Sequence, residues 1–270
     1  MDPKFVIPMI ISLVITIWAH LQYKSKGKMW GRPVAAIFAI ICTLIAVFSL
    51  IYTSFFQASA VSNDMISKHH QYMQIAHSTF GKHVAEKQKG KRAILIYNKP
   101  SVTEMGKKSH DVSVEAFKKE LMGSIEIVDT HEWVRADDNA AAQGMGMGMD
   151  KPFMTEDFED IMSDFSDYDL IISFIGLPID FKEMKYWKEE YDGEIPQFVL
   201  LNSSILESKP GITAGHFVSI LHTKPVRFDF EAPIPNDPKE AFDIRYVIIT
   251  PENVEAVHKE FPRLFRDEEK

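Results

Sequence analysis

The amino-acid sequence predicts an α/β protein in which two N-terminal transmembrane helices precede one soluble domain with a doubly wound, mostly parallel sheet. Two long apolar segments within the first 56 residues predict the helices. Further along, short runs rich in isoleucine and valine alternate with helical patterns, which is typical of parallel strands joined by crossover helices. The single cysteine, Cys42, falls in the second apolar segment, so the soluble part has neither a disulfide nor a thiolate metal site.

The two apolar segments are each long enough to cross a bilayer, which takes roughly 20 helical residues. The first runs from Phe5 to Tyr23, 19 residues without a charge, and the second covers Val34 to Phe56. A cleaved signal peptide is the alternative for the first segment. No small-x-small cleavage site precedes Gln22, which favours an uncleaved span. We therefore assign residues 1–56 to a two-span anchor.

The distribution of basic residues predicts the orientation of this anchor. The connector between the spans carries Lys24, Lys26, Lys28 and Arg32 and no acid, whereas only Lys68 follows the second span within a dozen residues. Cationic loops remain in the cytoplasm. Both termini are thus predicted to be extracytoplasmic, with the soluble domain in the periplasm or outside the cell.

Residues 57–91 form a polar stretch without proline, which predicts a helical stalk. Apolar residues recur in it mostly at intervals of three and four, so one face can pack on the soluble domain or on a partner helix. This apolar stripe consists of Ala58, Val61, Met65, Tyr72, Met73, Ala76, Phe80 and Val84.

Residues 92–270 are assigned to the soluble α/β domain. Six strands are predicted, at Ala93–Tyr97, Ile125–Val128, Leu170–Ile175, Phe198–Leu201, Val218–His222 and Tyr246–Ile249. Most of these runs are apolar at nearly every position, as burial between two helical layers requires.

Four helices are predicted around these strands, at Val112–Met122, Thr155–Phe165, Phe181–Tyr191 and Thr250–Phe261. Thr155 suits a helix cap, and Pro251 suits a first helical turn. Trp133–Lys151 is an insertion without periodicity, and Ala232–Pro238 is a proline-rich excursion. Over about residues 92–262 the alternation is similar to one lobe of the periplasmic-binding or flavodoxin-like α/β architectures. This resemblance implies a crevice at the carboxyl ends of the strands.

Polar residues at the predicted strand ends are the first candidates for such a crevice. The ligand-binding candidates are Asn98, Ser101, Gly176, Asn202, Ser203 and His222. The same residue types also serve as ordinary turn and cap residues. No glycine-rich fingerprint follows the first strand, so we expect no nucleotide cofactor. Beyond residue 56 the chain has 25 basic and 37 acidic residues, which disfavours nucleic acid as a partner.

Two chemical alternatives remain. A hydrolase could combine Ser203, His222 and Asp180 from three strand ends, although the sequence has no Gly-x-Ser-x-Gly elbow. A copper-binding protein could use soft thioether and imidazole ligands. The candidate copper ligands are Met145, Met147 and Met149 in the insertion and His69 and His77 in the stalk.

The leading prediction is a membrane-anchored extracytoplasmic domain that binds a partner protein or a small ligand as a non-enzymatic subunit of a membrane complex. The stalk and the spans would contact a protein partner or a second copy of the chain, and the methionine-rich insertion suits adaptable contacts. The hydrolase is the alternative, and the copper-binding protein is the third hypothesis.

Overall fold

The computed structural model describes residues 3–52, 58–100, 103–134, 152–201, 203–229 and 232–266. The chain forms two compact units, Met1–Ser67 and Lys68–Lys270. Lys68, the first residue of the second unit, lies within the predicted stalk.

The first unit contains two long helices, α1 (Pro3–Lys26) and α2 (Gly31–Tyr52). Gly31 permits their close approach, because a Cβ atom there would lie 2.5 Å from the carbonyl oxygen of Ala19. The Ser12 hydroxyl donates to the carbonyl oxygen of Phe38 at 2.8 Å. Both helices are long and apolar enough to cross a membrane by length and composition.

Helix α3 (Ala58–Lys87) occupies most of the predicted stalk. Within the second unit, its side chains Ala76, Phe80 and Val84 are fully buried. They belong to the same apolar cluster as residues of the sheet. The predicted stripe therefore packs, in this part of α3, on the α/β unit itself.

In the part of the chain that the structure describes, the sheet has six strands in the order β2-β1-β3-β4-β5-β6, all parallel except for β6, which pairs antiparallel with β5. The strands are β1 (Arg92–Asn98), β2 (Glu126–Trp133), β3 (Leu170–Ser173), β4 (Gln197–Leu201), β5 (Phe217–Thr223) and β6 (Tyr246–Ile249). All six predicted strands are present, and the predicted fold class is confirmed. Strand β2 extends well past its predicted end at Val128. The prediction stopped early because β2 is an edge strand whose second half is polar and partly exposed, so it has no apolar run to detect.

The described residues form five further helices, which cover the two faces of this sheet: α4 (Glu104–Leu121), α5 (Thr155–Ser163), α6 (Lys209–Thr213), α7 (Pro238–Arg245) and α8 (Val254–Glu260). Helices α3, α4 and α7 pack on one face, and α5, α6 and α8 pack on the other. Alternate strand residues supply the two cores, as Ile94 and Leu95 do from β1.

The prediction of an α-helix at Phe181–Tyr191 is wrong. This segment forms two short 3-10 turns, Phe181–Glu183 and Lys185–Trp187, separated by Met184 in an extended conformation. Met184 and Tyr186 are both buried although they are only two residues apart. An α-helix would point such a pair in nearly opposite directions, so tertiary packing overrides the helical pattern.

Candidate functional site

The strand order reverses between β1 and β3, which is the point where open α/β sheets usually bind a ligand, outside the carboxyl ends of the strands. Asn98 ends β1 at this point. Its side-chain oxygen is buried and has no hydrogen-bond partner among the described residues. Ser101 and Asn202, two other candidates, lie outside the described residues.

Gly176 and Ser203 are brought together beside this point, as expected for neighbouring strand ends. Gly176 has a φ of +81°, and a Cβ atom there would lie 3.0 Å from Cα of Ser203. The Ser203 hydroxyl is buried, donates to the carbonyl oxygen of Ser204 at 3.2 Å and accepts from the amide of Leu177 at 3.4 Å. Its polar contacts therefore join the loops after β3 and β4.

His222 and Asp180 make separate contacts from Ser203. The Nδ1 atom of His222 donates to the carbonyl oxygen of Thr223 at 2.7 Å. Asp180 accepts from the amide of Thr155 at 2.7 Å and so holds the start of α5. Within the described part of the chain, no hydrogen bond links the side chains of Ser203, His222 and Asp180 to one another.

The two candidate histidines of α3 have unlike surroundings. His77 is buried, stacks on the ring of Phe174 at 5.9 Å, and donates through Nδ1 to the carbonyl oxygen of Met73. Burial lowers the pKa of His77. Burial and then the cation of Arg245 lower the pKa of His69, and a neighbouring cation also disfavours a metal ion.

Metal ligands could also come from the other side chains in the part of the chain that the structure describes. This part contains no group of three or more His, Cys, Asp or Glu side chains that could hold a metal ion. Met145, Met147 and Met149 lie outside that part.

An open cleft of 320 Å³ lies elsewhere, between the 3-10 turns and α6, beside the first residues of β5. We call it the aromatic cleft. Its lining is mostly apolar and consists of Phe181, Lys182, Trp187, Glu207, Pro210, Gly211, Ala214, His216 and Phe217. None of these residues belongs to the predicted strand-end set.

Helix α6 forms one wall of the aromatic cleft, and its local sequence explains its shape. Pro210 stands in the first turn, where the missing amide costs nothing. Gly215, with a φ of +80°, ends the helix and turns the chain into β5. Gly211 packs tightly on Phe217, since a Cβ atom there would lie 2.5 Å from the Phe217 ring.

Aromatic rings form the opposite wall and the floor. The Trp187 ring lies 5.1 Å from the His216 ring and 6.0 Å from the Phe217 ring, and the rings of Phe181 and Phe217 are 6.1 Å apart. The Trp187 indole nitrogen donates to the carbonyl oxygen of Phe181 at 2.7 Å. With its polar atom bound internally, the indole adds apolar surface to the cleft.

Charged side chains stand at the rim. Lys182 Nζ lies 2.7 Å from Oε2 of Glu207, and Arg266 pairs with the other carboxylate oxygen. The backbone amide of Arg266 donates to the carbonyl oxygen of Leu206, which places Arg266 beside Glu207. Lys182 and then Arg266 hold the pKa of Glu207 below its usual range. The three groups together carry one net positive charge.

Sequence reasoning missed the aromatic cleft because it searched the carboxyl ends of the strands. The cleft instead joins residues of a mispredicted helix to those of α6, a helix that was not predicted. The sequence signal for the cleft was the cluster of Pro210, Gly211 and Gly215 just before Phe217. Such a cluster by itself also fits a loop.

The fold and this cleft define an α/β domain with an open, mostly apolar cleft. No family model matches the chain, and no curated protein matches it in sequence. Among solved structures, it is similar to a periplasmic solute-binding protein of an ABC transporter from Actinobacillus succinogenes 130z with bound D-allose. The identity is 13%, the TM-score is 0.40, and the alignment covers 68% of this chain and 62% of that one.

A second similar structure is the arabinose-binding protein AraP from Geobacillus stearothermophilus. The identity is 10%, the TM-score is 0.36, and the alignment covers 67% of this chain. The match spans 62% of that protein's length as well. At this similarity neither a ligand nor an activity transfers to the present chain.

Proposed function

We propose that this chain is a membrane-anchored binding protein, a non-enzymatic subunit of a membrane complex. In this proposal α1 and α2 span the membrane, and the second unit binds a small apolar ligand in the aromatic cleft on the extracytoplasmic side. The observation that carries the proposal is the cleft itself. It is preformed, it has ring-lined walls, and its volume falls within the range of about 300–1,000 Å³ that small-molecule sites occupy.

The chemistry of the cleft favours binding over catalysis. Its walls present carbon atoms, the indole nitrogen is engaged internally, and the two oxygens of Glu207 are each paired with a cation. The candidate reacting groups at the strand ends are engaged in separate structural contacts. An apolar ligand would gain free energy by leaving water, which needs no reacting group.

Binding can be tested with phenylacetamide, a neutral probe with one aromatic ring, and the full-length protein in detergent. We expect saturable binding with a Kd on the order of 1 mM, the affinity that a ligand of this size reaches in an apolar site. Ligand-detected NMR would measure it.

The matched variants are Ala214→Phe and Thr213→Phe. Thr213 is the last residue of α6 and Ala214 follows it; both are exposed, but only Ala214 lines the cleft. We expect Ala214→Phe to lose saturable binding and Thr213→Phe to keep it. Equal binding by both variants would mean that the probe enters the micelle or another surface, and the proposed site would be wrong.

The orientation is supported by the basic connector between α1 and α2 and needs its own test. Proteinase K added to spheroplasts should degrade the second unit, because that unit is proposed to face outwards. Degradation only after the membrane is ruptured would place it in the cytoplasm and contradict this part of the proposal.

A further inference from the structure

We infer that the ligand of the aromatic cleft is a small apolar carboxylate, whose ring or branched chain enters the cleft while its carboxylate contacts Lys182. This inference rests on the proposed function and adds the chemical class of the ligand. It follows from the charges at the rim and from the donors and acceptors that they leave for a ligand.

The rim has a net positive charge because two cations share one carboxylate. Lys182 and Arg266 both pair with Glu207. The side chains of Lys182 and Arg266 are each 65% exposed, so both cations are accessible from solvent. An ammonium group has three donors, and Lys182 uses one of them on Glu207.

A cationic ligand would meet the opposite situation. The only carboxylate among the residues that line the cleft is that of Glu207, and both of its oxygens are already paired. A cationic group would have to displace Lys182 or Arg266 and would then remain next to the displaced charge. An anionic group instead adds a partner to Lys182 without breaking the existing pair.

The walls of the cleft favour a ring in the apolar part of the ligand. Phe181, Trp187 and Phe217 offer ring faces and edges, which favour an aromatic ring through offset or edge-to-face contacts. These rings and Lys182 line the same cleft, so one ligand can contact both. A single-ring carboxylate combines both features.

The test compares phenylacetate with phenylacetamide, which differ in charge and hardly in shape, on the full-length protein in detergent. In the unaltered protein we expect phenylacetate to bind about fivefold more tightly, the factor that an exposed ion pair supplies at low salt. Lys182→Gln should abolish this difference, so that the two probes bind the variant with equal affinity. Lys188→Gln, which removes an exposed lysine outside the lining, should preserve the difference.

Equal affinities of the two probes, or a preference for phenylacetate that persists in Lys182→Gln, would overturn the inference. If phenylacetamide then still binds and Ala214→Phe still abolishes its binding, the proposed function stands and only the ligand class is wrong. If neither probe shows saturable binding that depends on Ala214, both the inference and the proposed site are overturned.

Discussion

Phe80 tests whether the second half of α3 is part of the core of the α/β unit, as the structure indicates, or a separate stalk. Its side chain is fully buried, with its ring 5.7 Å from the ring of Phe117 on α4. Gly81 already brings α3 and α4 together, because a Cβ atom there would lie 3.0 Å from the carbonyl oxygen of Phe117. The two helices therefore have little freedom to close the cavity that Phe80→Ala would leave.

The expected loss follows from the size of this cavity. Phe→Ala substitutions in cores lower the free energy of unfolding by about 3–5 kcal/mol, and the tight helix packing gives ~4 kcal/mol for Phe80→Ala. With a urea m-value of ~2 kcal/mol/M, the unfolding midpoint should decrease by about 2 M. Urea titration of the full-length protein in detergent, followed by far-UV circular dichroism, measures it. The exposed Lys82→Ala on the same helix should change stability by less than ~0.5 kcal/mol. Midpoints for both variants within ~0.3 M of the unaltered protein would refute the reasoning, because ~4 kcal/mol cannot be hidden in so small a shift.

Three further predictions concern the same unit. Gly176→Ala should lower the free energy of unfolding by ~2–3 kcal/mol and Gly123→Ala by ~1 kcal/mol, because both glycines have a positive φ but only at Gly176 would the Cβ atom contact a neighbour. Similar losses in urea titrations would contradict this. Asp180→Ala should cost ~1 kcal/mol by releasing the first amide of α5, and an unchanged unfolding midpoint would show that this cap contributes nothing. Burial lowers the pKa of His77 below 6.5, so the unfolded chain takes up this proton at a higher pH than the folded chain does. The contribution of His77 to stability is therefore complete above pH 6.5 and decreases as the pH falls below that value. The urea midpoint should drop between pH 7 and pH 5, and it should drop less in His77→Phe. Parallel pH profiles of the two proteins would exclude His77 as a cause.

Several elements could be predicted because their signals are local. The run Leu170–Ser173 is apolar at three consecutive positions and becomes a strand buried on both faces. Helix α5 begins at the predicted Thr155. Helix α7 was not predicted, although its start has local signals: Asp237 accepts from the amide of Lys239, and Pro238 stands at the first helical position.

Other elements have no apolar periodicity to detect. The first two turns of α4 are mostly polar, and the helix begins at Glu104 because Thr103 accepts from the amide of Gly106. The predicted helix start at Thr250 became a turn instead. There the side chain of Asn253 accepts from the amide of Thr250 at 2.8 Å, and α8 begins only at Val254.

By itself, the sequence determined the α/β class, the six strands and the two apolar helices, since each depends on the hydrophobicity of consecutive residues. Only the tertiary structure decided that α3 contributes to the core, that the segment around Met184 and Tyr186 forms 3-10 turns, and that the aromatic cleft exists. The cleft joins residues 181–187 to residues 207–217, and contacts between segments so far apart in the chain arise from packing, which no local pattern encodes. The hydrogen bonds of Ser203, His222 and Asp180 were likewise decided by the tertiary structure, because each of these side chains bonds to backbone groups of its surroundings.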